Sequence, residues 1–138
     1  MSPFDDTMRL NKRRVLVADD DDCVRTLCVT ALRREGYHVE SVTDGRAALK
    51  KLDHGDYHAV VLDLGMPHIH GATVLSVISQ TRPEMLRRII VLTGAPDAVI
   101  EPIIGLVGAI LRKPAELDTL TRFVDQSGAM NDDTARLT

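Results

Sequence analysis

The sequence predicts an α/β fold, a doubly wound five-stranded parallel sheet of (βα)5 type with helices on both faces. Three observations predict it. Short aliphatic runs alternate with amphipathic stretches along the chain. Aromatic residues are 3% of the chain against 44% hydrophobic overall, so the core is built from Val, Leu, Ile and Ala, as buried parallel strands are. The runs stop abruptly at polar residues, and right-handed crossovers place such strand ends along one edge of the sheet.

A length of 138 residues fits one domain. A net charge of −3 supplies no general attraction to nucleic acid or to anionic lipid, so no direct nucleic-acid partner is expected. No apolar run approaches the roughly 18–20 residues of a membrane span. Met1 to Leu10 carries Asp5 and Asp6 and has no apolar signal core. Cys23 and Cys28 fall on different faces of a predicted helix and are badly placed for a mutual disulfide. A reducing, cytoplasmic setting is the expectation, with no membrane partner.

The elements follow in order. After a polar lead-in over 1–12, Val15 to Ala18 is a buried strand that stops at Asp19-Asp20-Asp21-Asp22. Val24, Leu27, Cys28, Ala31 and Leu32 then keep the spacing of a core-facing helical stripe, closed by Gly36. Asp21 and Asp22 read as residues of that helix's N-terminus. His38 to Val42 alternates like an edge strand. Asp44 caps a helix through about Leu52, and Gly55 closes it. Ala59 to Leu62 is the next buried strand, ending at Asp63; Met66-Pro67 turns the chain into a helix over 71–81 with Val74, Leu75 and Ile78 inward.

Ile89 to Leu92 is the fourth strand, ending at Thr93. A short apolar helix lies between Pro96 and Val107. An interior proline costs a helix about 3 kcal/mol outside the first turn, so this one is expected to start near Glu101 with Pro102 at its first position. Ala109 to Leu111 is the fifth strand, ending near Lys113-Pro114, and a last helix covers about Glu116 to Gln126 with Leu117, Leu120 and Val124 on one side. Ser127 to Thr138 is small and polar and reads as a loose tail.

The strand ends deliver Asp19, Asp20, Asp63, Thr93 and Lys113 to one rim. Carboxylates gathered there repel, each pair by about 4 kcal/mol at roughly 4 Å and an effective dielectric of about 20. Lys113 offsets part of that. A hard divalent ion such as Mg²⁺, which takes a few carboxylate oxygens and several waters, offsets more. A carboxylate nucleophile, a metal, a lysine and a hydroxyl together suit phosphoryl transfer.

Val-Leu-Val-Ala-Asp-Asp-Asp at 15–21, Asp63-Leu-Gly-Met-Pro with Gly71 after it, Val-Leu-Thr-Gly-Ala at 91–95, and Lys113-Pro114 together resemble the receiver domain of two-component response regulators. Each piece is weak alone; all four in this order are specific. The resemblance covers about 13–126. It implies a flavodoxin-like sheet of order 2-1-3-4-5 and a regulatory phospho-acceptor domain rather than an enzyme acting on other molecules. Asp63 would accept phosphate from a sensor histidine kinase or a phosphotransfer protein. Mg²⁺ (or Mn²⁺) would be held by Asp20, Asp63 and the Gly65 carbonyl, with Asp19 acting through water. Lys113 and Thr93 would contact the phosphate, and Lys113-Pro114 would be a cis peptide. Output would pass to a downstream protein or to an output domain outside this chain.

Two departures stand out. The family usually carries Tyr or Phe where this chain has Ile110, and an aliphatic side chain cannot follow the threonine by swinging a polar-tipped ring. The segment 96–107 is richly apolar, and Ile103, Ile104 and Val107 are expected to form an output surface for a partner or a homodimer. Two other functions compete. One is a phosphate-independent interaction module of the same fold, favoured by Ile110. The other is an aspartate-nucleophile phosphatase, disfavoured because position 65 is Gly rather than a second Asp. His68 and His70, with no matching Cys or His cluster, read as solvated loop, and Cys23 as an inert helix-start residue.

Overall fold

The computed structural model describes the backbone of residues 13–66 and 68–137, with side chains as far as Ser127. The lead-in over 1–12 and Pro67 lie outside the described residues. Five parallel strands form one sheet in the order β2-β1-β3-β4-β5. They are β1 (Arg14–Ala18), β2 (His38–Val42), β3 (Ala59–Leu62), β4 (Ile89–Thr93) and β5 (Ala109–Arg112). The central strands β1, β3 and β4 are aliphatic and almost wholly buried, as a sheet covered on both faces requires.

Strand alternation sorts side chains into two cores. Leu16, Ala18, Val60 and Leu62 face α2 (Gly45–His54) and α3 (Gly71–Thr81). Val15, Val17, Ala59 and Val61 face α1 (Asp22–Arg34) and α5 (Leu117–Leu137). Local chemistry sets both ends of α1 and the start of α2. The Asp21 side chain accepts from the Val24 N–H, and that of Asp44 from the Ala47 N–H. Gly36 takes φ +95° just past α1, which a residue with a side chain adopts only at a cost.

Four expectations need correction. Leu27 is 54% exposed although it lies on the predicted stripe, because the spacing marks a face but not how far a neighbour covers it. The helix expected to start near Glu101 starts at Asp97: α4 is one turn, Asp97–Ile100, followed by a 3-10 turn at Glu101–Ile103. Pro102 has no N–H to continue an α-helical ladder, and the chain instead closes with an Ile104 N–H to Glu101 carbonyl bond. Ile103, expected at the surface, is 8% exposed; it joins Ile100 in the core while Val99, Ile104 and Leu106 face outward, and Val107 is half-buried. Finally, α5 runs past Gln126 to Leu137, through most of the stretch expected to be loose. That stretch holds no proline, and its one glycine, Gly128, costs a helix only about 1 kcal/mol. A 3-10 helix at Pro83–Arg88 was not foreseen; it buries Met85 and Leu86 in the same core as α2 and α3.

Candidate functional site at the carboxyl edge of the sheet

The pairing of β1, β3, β4 and β5 brings four strand ends together. Asp63 donates its N–H to the Ala18 carbonyl, and Lys113 its N–H to the Thr93 carbonyl, so residues far apart in sequence end side by side. Asp19, Asp20 and Asp63 each place a carboxylate oxygen within 4.8 Å of the others. Asp19 and Asp63 are buried and Asp20 is exposed. The Lys113 ammonium lies 2.9 Å from Asp19 Oδ2 and 3.4 Å from Asp63 Oδ2.

The charges are partly reconciled. Asp19 Oδ1 accepts the Asp21 N–H at 2.9 Å, while Oδ2 meets Lys113 as an ion contact without an aligned hydrogen bond. Burial pushes the Asp19 carboxyl above its ordinary range, Lys113 pulls it back, and the Asp63 charge adds to the rise. Burial pulls the Lys113 ammonium down, but Asp19 and Asp63 outweigh this and hold it above the usual lysine range. One buried carboxylate oxygen without a hydrogen-bond partner, in a cluster of hard oxygen donors, fits a small divalent cation. The residues present therefore suit such an ion.

Among the remaining expected site residues, Gly65 adjoins this cluster. Gly65 donates its N–H to Asp63 Oδ1 at 3.1 Å, and a side chain there would lie over that carboxylate. Thr93 is buried, and its hydroxyl oxygen accepts the Ala95 N–H at 3.1 Å. The Lys113–Pro114 peptide is cis. Ile110 is half-buried and packs against the α2–α3 core. Ile104 lies on the exposed α4–β5 connection, in a separate apolar patch.

His68 and His70 stand apart from the acidic cluster, and a His70 ring nitrogen meets the Met66 carbonyl. Both cysteines are free; Cys23 is exposed, and burial, with Asp19 nearby, pushes the Cys28 thiol up to about 11. Sequence reasoning missed two arginines. Arg25 donates to the Asp19 carbonyl at 2.9 Å, and Arg112 reaches the loop after Thr93. Both act on backbone carbonyls, for which a sequence carries no local signal.

A family model described as the response regulator receiver domain matches residues 15–125, the stretch that holds the whole cluster. The chain belongs to this receiver-domain family. Among similar receivers, the transcriptional regulatory protein TcrA of Mycobacterium tuberculosis is 37% identical over 115 residues, which are 81% of this chain and 44% of TcrA. The transcriptional regulatory protein CutR of Streptomyces coelicolor is 39% identical over 118 residues, 83% of this chain and 53% of CutR. The chain thus spans about half the length of these relatives.

Solved receiver structures agree. Response regulator TrrA of Thermotoga maritima, determined in complex with Mg(2+)-BeF, matches with a TM-score of 0.74 at 30% identity, covering 83% of this chain and 98% of that one. A CheY-like receiver from Methanospirillum hungatei matches with a TM-score of 0.80 at 22% identity, covering 88% and 98%, which speaks for the fold alone. The five-stranded order read here is that of the flavodoxin-like receiver fold. Among the described residues, no helix is long and apolar enough to cross a membrane.

Proposed function

We propose that this receiver domain is a phosphorylation-dependent switch that accepts a phosphoryl group on Asp63 from the phosphohistidine of a sensor kinase or phosphotransfer protein. The observation that carries the reading is the meeting of Asp63, two further carboxylates and Lys113 at one rim. An Asp63 carboxylate oxygen attacks phosphorus, the P–N bond to the donor histidine breaks, and its electron pair leaves on the imidazole nitrogen. Lys113, already 3.4 Å from the Asp63 carboxylate, pairs with the arriving phosphoryl oxygens. The Thr93 hydroxyl uses an oxygen lone pair on the Ala95 N–H, which leaves its proton free to donate. Asp20, Asp63 and the Gly65 carbonyl, with Asp19 through water, would hold Mg²⁺ or Mn²⁺, which when bound neutralises charge on the transferring group.

The receiver unit spans 13–126 and acts in the cytoplasm. Its output passes through the apolar face carried by Ile104, Leu106 and Val107 to a downstream protein, a second copy or an output domain outside this chain. Ile110 favours a second reading, a module that signals through contacts without phosphate. One experiment decides between them. Incubated with Mg²⁺ and beryllofluoride or acetyl phosphate, the wild type should form a saturable adduct, seen by fluorine resonance or intact mass, and Asp63→Asn should form none. An unmodified wild type would establish the module instead.

A further inference from the structure

Thr93 is the last residue of β4, and little of the loop that follows it is packed. Gly94, Pro96, Asp97 and Ala98 are exposed, and nothing lies within 4 Å of where a side chain at Gly94 would begin. Arg112 reaches this loop from the last position of β5. One guanidinium nitrogen donates to the Ala95 carbonyl at 3.2 Å, and the other pairs with the Asp97 carboxylate. The fork therefore grips the chain on both sides of Pro96. The Ala95 so held points its own N–H at the Thr93 hydroxyl oxygen, 3.1 Å away.

We propose that Arg112 is a positioning residue for the phosphoryl site, acting through Ala95 to set the Thr93 hydroxyl. A hydroxyl has one proton and two lone pairs. With one lone pair taken by the Ala95 N–H, the rotor is biased toward orientations that send its proton elsewhere. Thr93 is 1% exposed, so bulk water does not compete for that proton, and under the phospho-acceptor reading an oxygen of the transferred phosphoryl group is its acceptor. The planar fork of arginine engages a carbonyl and a carboxylate together, which a lysine ammonium on a flexible stem does less well. The role rests on the phospho-acceptor reading given above. The pair is exposed, at 53% for the Arg112 side chain and 76% for Asp97, so its effect is modest: two- to fivefold, about what an exposed ion pair supplies.

The test is a double-mutant cycle on the full chain, scored by beryllofluoride affinity at fixed Mg²⁺ and by hydrogen exchange of the Ala95 amide without added ligand. Arg112→Ala should weaken beryllofluoride binding two- to fivefold and speed Ala95 exchange by a similar factor, with the unfolding midpoint little changed. Arg112→Lys should fall between it and the wild type. In a Thr93→Ala background, Arg112→Ala should cost no further affinity. The proposal is overturned if Ala95 exchange is unaltered, if affinity holds or rises, or if the loss is equally large without Thr93. A wild type that binds no beryllofluoride would instead remove the phospho-acceptor reading, and Arg112's role with it. Unaltered exchange alongside normal binding removes only Arg112.

Discussion

Position 71 shows how closely the acceptor loop is packed. A Cβ on Gly71 would fall 2.4 Å from the Asp63 carbonyl oxygen and 2.6 Å from the Leu64 Cα, both backbone atoms with no rotamer to yield. The Gly71 N–H also donates to the Leu64 carbonyl at 3.1 Å, so the start of α3 rests directly on the segment that presents Asp63. Gly71→Ala should lower stability by about 1–3 kcal/mol, the usual range for overpacking, and weaken beryllofluoride binding as the loop shifts. Urea unfolding checks the first outcome; a loss under about 0.5 kcal/mol, as for an ordinary surface change, would show that the loop gives way freely. Asp63, Asp19 and Lys113 were readable from sequence because each sits where an aliphatic strand stops, or one residue beyond it. Arg112 was not, because its partners are a backbone carbonyl and an exposed carboxylate brought near only by the β4–β5 pairing.

At the scale of elements, helix starts carrying a capping aspartate were legible, and helix surroundings were not. Asp21 and Asp44 cap α1 and α2 within three residues of themselves, a purely local bond. Replacing Asp44 by Ala should destabilise the protein by about 1 kcal/mol, whereas Asp44→Ser, which keeps an acceptor, should lose far less. Thermal or urea unfolding reads the difference, and equal losses for the two variants would refute the cap as the cause. The far end of α2 is finished by another element: Arg82 donates to the Leu52 carbonyl at 2.8 Å and to the Gly55 carbonyl at 2.6 Å. Such a cap follows from packing and leaves no mark near Gly55. The same limit explains Leu27, whose helical face was legible but whose exposure depends on how α5 lies against α1. In α4, Pro102 marked a break correctly, but the side on which helix would persist depended on Ile100 and Ile103 finding room in the core.

Across the whole molecule, one charged network ties the lower edge of the sheet together. Glu40 of β2 accepts from Arg14 of β1 at 3.0 Å, meets Lys51 of α2 at 3.1 Å, and accepts the Tyr57 hydroxyl at 3.1 Å. Burial pushes the Glu40 carboxyl up, but Arg14, Lys51 and Tyr57 outweigh it and hold it down to about 2, against an ordinary 4.5. A carboxyl whose folded value is depressed contributes stability that is complete above its unfolded value and disappears as pH falls through the folded one. The Glu40 share should therefore be present at pH 7 and lost between about pH 4.5 and pH 2, amounting to roughly 2–3 kcal/mol. Glu40→Gln should be less stable than the wild type at neutral pH, with the gap closing across that window. A gap independent of pH in urea unfolding would assign the loss to packing rather than charge. His58 adds a separate acid sensitivity: burial lowers its pKa, with its ring against the Val124 carbonyl, so protonation below its ordinary 6.5 opposes the fold.

The (βα)5 alternation, the strand ends and the acidic and basic residues they carry were written in the chain, because these depend on periodicity, on local caps and on where an aliphatic run must stop. Packing between elements, by contrast, turns Ile103 inward while Ile104 stays out, leaves Leu27 uncovered, and brings Arg112 to the loop after Thr93. Those outcomes depend on distances between segments far apart in the chain, set by how helices settle on a twisted sheet, and no local pattern encodes them.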